Sequence, residues 1–313
     1  MWVMAVASAA CVAGCGRSTG SGDKAAAAVR SLHGSPCGAD GVDASDGIEC
    51  AQYGSALEAF EDALAAGGAP LVLGVGEVHA PAGAAVASAA KRFTIELLPA
   101  LAPRASDVLL ELMMPPGGCA SAVAEARREQ EPVTAQHAAT AQDEYVAMGE
   151  RARALGVVPD MLRPTCADMD AIKHAGDDLV DVSLSTIARL ARAQASRMID
   201  RDALSDADRG KMVVLYGGSL HNDLTPPPEA ARWSYAPALA EDAQGRFTAI
   251  DLIVPEFVGN DATWQALAWW PRYQALRGAS GSGSRLNRAT LFRLSRGRPA
   301  SFVLFFPVEA PPP

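Results

Sequence analysis

Leu71-Val72-Leu73-Gly74-Val75-Gly76-Glu77-Val78-His79 is a short continuous apolar run that ends in glycine, acid and histidine. A run of this length without polar alternation suits a strand covered on both faces, as in a parallel sheet. Before it, residues 55–65 place Leu57, Phe60 and Leu64 at helical spacing with Glu58, Glu61 and Asp62 between them, an amphipathic helix. After it, residues 83–101 read as a helix with Val86, Phe93, Leu97 and Leu98 inward, and residues 107–114 as a second buried strand.

Residues 121–209 carry a helical period almost throughout, in segments 122–130, 140–155, 167–174 and 179–199, broken at Pro132, Pro159, Pro164 and Gly176. Strand character returns at 212–216 and 247–254. A last pair, 291–294 and 301–306, flanks Ser295-Arg296-Gly297-Arg298-Pro299 as a hairpin. Strands separated by long helices require right-handed crossovers. The predicted fold is α/β: a mainly parallel central sheet flanked by helices, with a helical insertion between the second and third core strands and a C-terminal hairpin.

The 313 residues are 49% apolar and 20% charged, ample for a large core. Lys and Arg number 27 against 36 Asp and Glu, a net charge of −9, so there is no basic surface for a phosphate backbone and nucleic acid is not an expected partner. Residues 1–14 are apolar or small and too short for a bilayer span, which takes ~20 residues, so they read as a signal peptide. They end in Val12-Ala13-Gly14-Cys15, which resembles the bacterial lipoprotein box and makes Cys15 the lipid-bearing residue. No Lys or Arg precedes that apolar run. The expected location is the bacterial cell envelope, with the membrane met through the N-terminal lipid, on the periplasmic face or the outer surface. Residues 15–53, rich in Gly, Ser, Ala and Asp, read as a flexible tether, 54–309 as the α/β domain and 310–313 as a tail. Beyond Cys11 and Cys15, Cys37, Cys50, Cys119 and Cys166 form an even set suited to disulfides in an oxidising compartment. Of the three pairings, Cys37 with Cys50 and Cys119 with Cys166 is favoured; four free thiols are the alternative.

Ligands of open parallel sheets bind beyond the carboxyl ends of the strands. Three such ends are polar here: Gly76-Glu77-Val78-His79, Glu111 within Leu109-Leu110-Glu111-Leu112, and Gly217-Gly218-Ser219-Leu220-His221-Asn222-Asp223. Two of them place glycine three residues before histidine, so a tight turn can aim the imidazole back across the sheet edge. Two imidazoles and a carboxylate suit a divalent metal or iron, and equally an acid/base set. Glu111 requires a partner, because an ionised carboxylate among leucines costs several kcal/mol otherwise. Singly, each residue has a plain alternative: His79 bonded to a carbonyl, Glu77 capping the next helix, Glu111 paired with Arg92. Their coincidence at separate strand ends favours one site. The candidates are Glu77, His79, Glu111 and His221 as catalytic or metal-ligating residues, with Gly76, Gly218, Arg92 and Asn222 around a bound cofactor.

Through residues 71–79, the strand carrying Glu111 and residues 213–221, the chain resembles the ChaN-like haem-uptake lipoproteins and, more distantly, the Tiki and TraB proteins and erythromycin esterases. The resemblance spans residues 68–309. It implies an α/β core in which Gly-x-x-His turns and the intervening Glu line one cleft, used for haem or iron in the ChaN-like branch and for hydrolysis in the Tiki and esterase branches. The family pattern continues after its first histidine with polar residues and a further histidine on the next helix. Here Ala80-Pro81-Ala82-Gly83 follows, and the next histidine is His137. The expected function is binding of haem or a divalent metal (Mn, Fe, Zn or Co), with a small-molecule or haem ligand; the alternative is a metal- or Glu/His-dependent hydrolase of an ester or peptide bond. No Gly-x-Ser-x-Gly elbow lies between a strand and a helix, and a Gly-Lys-Ser/Thr loop and a Gly-x-Gly-x-x-Gly fingerprint are missing, which argues against serine hydrolases and nucleotide binding. His33 reads as part of the tether, and His137 and His174 as residues on solvated helix faces. Trp264, Trp269, Trp270 and Tyr273 form an aromatic cluster that covers one end of the cleft or fills core.

Overall fold

The apolar run before Glu77 forms a fully buried strand in the middle of a sheet that has nine strands among the described residues. The computed structural model describes residues 30–37, 47–278, 285–295 and 297–308. Residues 1–14, read as a signal peptide, Cys15, much of the expected tether and the 310–313 tail lie outside the described residues. The strands are β1 (Ser35–Pro36), β2 (Glu49–Tyr53), β3 (Val72–Glu77), β4 (Ala105–Met113), β5 (Val158–Leu162), β6 (Met212–Gly218), β7 (Phe247–Ile253), β8 (Ala289–Arg293) and β9 (Ala300–Phe305). Their spatial order is β1-β2-β8-β9-β7-β3-β6-β4-β5. Pairing is parallel from β5 through β9 and antiparallel from β9 through β8 and β2 to β1. From β3 the chain winds outward to β4 and β5, returns to β6, then crosses to β7 on the other side of β3. That reversal opens a crevice at the carboxyl ends of β3 and β6.

Alternation along each strand divides the core between the two faces. Leu73 and Val75 of β3 and Val108 and Leu110 of β4 pack against α1 (Ala56–Gly67), residues 89–101, and Met148 and Ala152 of a later helix. Val72, Leu109, Val213, Leu215 and Ala249 face the long helix Leu179–Leu204 and the helix Ala236–Asp242. Between β4 and β6 lie α2 (Ala120–Thr134), α3 (Ala141–Ala154), α4 (Cys166–Lys173) and α5 (Leu179–Leu204), followed after β6 by α6 (Ala236–Asp242). The α/β architecture, the insertion and the terminal β8–β9 hairpin therefore agree with the sequence reading. Both favoured disulfides, Cys37–Cys50 and Cys119–Cys166, are formed. Among the described residues no helix is long and apolar enough to cross a membrane.

Several expectations are corrected. Part of the supposed tether belongs to the domain: β2 pairs with β8, and Asp62 of α1 accepts from the His33 backbone N–H at 2.6 Å and the Tyr53 hydroxyl at 2.7 Å. The short run 49–53 has too few strong apolar residues to announce itself before its neighbour is known. Pro159 does not simply break a helix; it lies in β5, an edge strand, where a missing N–H is tolerated. The helix expected from residue 83 starts at Ala89, where Ser88 accepts from the Lys91 N–H, so residues 78–88 are a loop. Of the two readings of the aromatic cluster, the core one holds: Trp269, Trp270 and Tyr273 pack with Phe292 and Phe305.

Contact around β3 is close. A methyl group on Gly74 would stand 1.9 Å from Asn222 Oδ1 and 2.9 Å from the Phe247 ring. Gly74→Ala is therefore expected to destabilise the domain by about 1–3 kcal/mol. A thermal melt checks this, and a midpoint equal to wild type contradicts the packing.

Candidate functional site

Glu77 ends β3 with its side chain on the face of Leu73 and Val75, and it is 4% exposed. Tyr145 of α3 donates to Oε1 at 2.8 Å and Tyr216 of β6 donates to Oε2 at 2.7 Å. His79 Nδ1 lies 2.9 Å from the same Oε1. That oxygen accepts from a phenol, so Nδ1 is a second donor and Nε2 is left outward. Burial first, then the Glu77 charge, pushes both phenols well above their usual range, which keeps their protons in place. Burial alone would pull the His79 imidazole down. Glu77, with help from Glu111, outweighs it and raises the ring above its ordinary 6.5.

The other half of the site comes from β4 and β6. Glu111 lies against the two glycines that end β6: a methyl group on Gly217 would stand 2.2 Å from Glu111 Oε2, and the Gly218 N–H donates to that oxygen at 2.6 Å. His221 Nε2 is 3.5 Å from Glu111 Oε1. His221 Nδ1 is 2.5 Å from the Trp233 carbonyl, which can only accept, so Nδ1 carries its hydrogen. The ring also stacks on Tyr235, with centroids 6.2 Å apart. Burial is the largest influence on both charges and opposes each. For Glu111 it is overcome by His221, by His79 and by the Gly218 N–H, and the carboxyl is held down at about 2. For His221 it is overcome by Glu111, and the imidazole is raised above 6.5.

The two halves meet over Gly218. A methyl group there would lie 3.7 Å from Glu111 Oε2 and 3.8 Å from both His79 Nε2 and His221 Cδ2. This bare glycine makes a floor rimmed by His79 Nε2 and the Glu111 carboxylate. The side chains of His79 and Glu111 are 27% and 16% exposed, against 1% for His221. The four predicted residues thus come together, yet only two of them face outward; Glu77 and His221 stand behind and orient them.

The remaining candidates play other parts. Gly76 makes room for Asp251 and Ser219, since a methyl there would be 2.2 Å from Asp251 Oδ1. Asn222 lies beneath the site and donates to Gly74 O at 3.1 Å and to Asp251 Oδ1 at 3.2 Å, which pins the turn that carries His221. Burial raises the Asp251 carboxyl to about 7. Arg92 packs over the Phe306 ring at 5.0 Å and donates to the Pro307 carbonyl at 3.4 Å. The acid that Arg92 was a candidate to neutralise, Glu111, is met by Gly218 and His221 instead.

Four functional neighbours were not anticipated: Tyr145, Tyr216, Trp233 and His137. Tyr216 carried a signal, because a phenol in an otherwise aliphatic buried strand needs a partner for its hydroxyl. His137 carried none. Instead of sitting on a solvated helix face, it stands with its ring centre 4.6 Å from that of His79. The Ala138 N–H donates to Ala80 O at 2.8 Å and the Ala82 N–H to Gln136 O at 3.0 Å, a short bridge that brings residues 136–138 beside the loop after His79. Burial, then His79, lowers the His137 imidazole below its ordinary value. Among the described residues no group of three His, Cys, Asp or Glu side chains is arranged to hold a metal ion.

The chain matches no family model, no curated protein and no solved structure.

The Glu111–His221 pair gives a pH test. A carboxylate held below its ordinary 4.5 contributes stability that is complete above 4.5 and lost as pH falls toward about 2. Glu111→Gln removes that contribution, so the gap in urea midpoint between wild type and variant should narrow on acidification through this window. A gap that stays constant across it contradicts the pairing.

Proposed function

We propose that this protein is a hydrolase of ester or peptide bonds with His79 as general base. The observation that carries this reading is the Glu77–His79 pair aimed across Gly218 toward Glu111. A carboxylate on Nδ1 holds the ring in the tautomer whose Nε2 accepts a proton, and it stabilises the imidazolium that results. A water above Gly218 gives its proton to Nε2 while its oxygen bonds to the substrate carbonyl carbon. Collapse of the tetrahedral adduct then breaks the bond to the leaving group, which takes the proton back from His79. Glu111, ionised beside the same space, supports the transient positive charge on His79. Tyr145 and Tyr216 act on the reaction only through Glu77.

A panel of p-nitrophenyl esters and peptides tests this. Wild type should turn over at least one of them, and His79→Ala should lower kcat/KM by about 100- to 10,000-fold. Equal rates for the two proteins, at the level of background, dismiss the reading.

Metal or haem binding is the second reading, and one observation favours it. Nδ1 of His79 is taken by the Glu77 carboxylate, the outer arrangement of metal-bound imidazoles, which leaves Nε2 of His79 and the partly exposed Glu111 carboxylate as two donors beside Gly218; a metal would take its remaining ligands from water or substrate. Glu77, buried under three donors, is not available as a ligand. Elemental analysis and titration with hemin and with Mn, Fe, Zn and Co salts test it. Stoichiometric uptake lost in His79→Ala supports a metal centre, and the absence of both uptake and a Soret shift removes it.

An anchored position in the bacterial cell envelope belongs to the same proposal. It is supported by the Val12-Ala13-Gly14-Cys15 box and by two disulfides, which persist in oxidising compartments. Labelled palmitate should enter the wild-type protein and fail to enter Cys15→Ala; equal labelling contradicts the anchor.

A further inference from the structure

We propose that His137 is the substrate-facing hydrogen-bond donor of this site, binding the carbonyl oxygen of an uncharged ester or amide opposite the His79 base. The proposal rests on the hydrolase reading and deepens it. The sequence pattern pairs His79 with His221, but His221 cannot touch a substrate: it is 1% exposed and its Nδ1 is committed to the Trp233 carbonyl. The second working imidazole therefore has to come from elsewhere, and the helical insertion supplies it.

Three observations place His137 in that role. Its ring centre is 4.6 Å from that of His79, tilted by 44°, and both residues are partly exposed. The main-chain bonds of residues 80–82 with 136–138 fix its backbone, so its position does not depend on the side chain. Most telling is its bonding. Of the five histidines, His33 meets Arg30, His79 meets Glu77, His174 meets the Asp170 carbonyl and His221 meets Trp233, whereas neither ring nitrogen of His137 has a hydrogen-bond partner among the described residues. It is half-buried, so the spare N–H is both directed by its surroundings and open to a ligand.

An imidazole carries at least one N–H whether neutral or protonated, so the role does not depend on its titration. The oxyanion of the tetrahedral adduct accepts that hydrogen bond, and His137 keeps its proton throughout. The only proton moved is the one that His79 takes from water and returns to the leaving group. The surrounding charge sets the substrate class. Glu77 is taken up by three donors, and Glu111 is the acid that borders the space over Gly218, so a carboxylate or phosphate next to the scissile bond meets a like charge there and an uncharged ester or amide does not.

The test uses p-nitrophenyl butyrate with wild type, His137→Ala, His137→Gln, His137→Phe and His79→Ala, each checked for an unchanged melting midpoint. Loss of one preorganised donor to an oxyanion lowers kcat by about 100- to 1,000-fold. We expect His137→Ala and His137→Phe to show that loss in kcat with little change in KM, and His137→Gln, which restores an N–H, to recover at least tenfold of it. If His137→Phe keeps wild-type kcat while His79→Ala is inactive, His137 has no such role and the hydrolase reading stands. If His137→Gln is no better than His137→Phe, a restored N–H does not recover what was lost and the proposal is overturned. If wild type and His79→Ala do not differ, the hydrolase reading fails and takes this inference with it.

Discussion

A carboxylate buried at the end of a central strand must be met by donors, and the donors of Glu77 come from three parts of the chain. His79 is two residues away, Tyr145 is 68 and Tyr216 is 139. Leaving a buried polar group of this kind unmet costs about 1–3 kcal/mol, more when it is charged. The docking of α3 on the sheet and the pairing of β6 with β3 are therefore tied to the orientation of one imidazole. Fold and site are held by the same hydrogen bonds, and the arrangement that stabilises the domain also leaves His79 Nε2 outward.

The second acid is handled differently. Glu111 keeps partial exposure, and its burial cost is offset by an imidazole and a backbone N–H rather than by phenols. That contact requires Gly217, because any side chain there would occupy the carboxylate's place. Each exposed group thus has a buried partner behind it: Glu77 behind His79, and His221 behind Glu111. This separation of orienting from exposed residues leaves Gly218 as a bare floor bordered by His79 and Glu111, each held by its buried partner.

The strands β3, β4, β6 and β7 were legible because a strand buried on both faces is a continuous apolar run, a property of a few adjacent residues. Both Gly-x-x-His turns were legible for the same reason, and Glu111 stood out as an acid among leucines. What escaped notice has a common cause. β2 and β5 are edge or near-edge strands, so their residues are less uniformly apolar and depend on a neighbour to define them. Tyr145 looks like any aromatic on an amphipathic helix until the helix is docked. His137 sits between two helices in a polar stretch, and nothing within several residues of it marks the loop it will meet.

The amino-acid sequence by itself determined the α/β class and the set of acids and imidazoles at the strand ends, because these follow from spacing and composition over short distances. Only the tertiary structure decided which of those groups face solvent. It buried Glu77 and His221, opened His79 and Glu111, and brought His137 to His79. Those outcomes depend on contacts between residues far apart in the chain, where burial and hydrogen bonding are settled by which elements pack together and not by the local pattern.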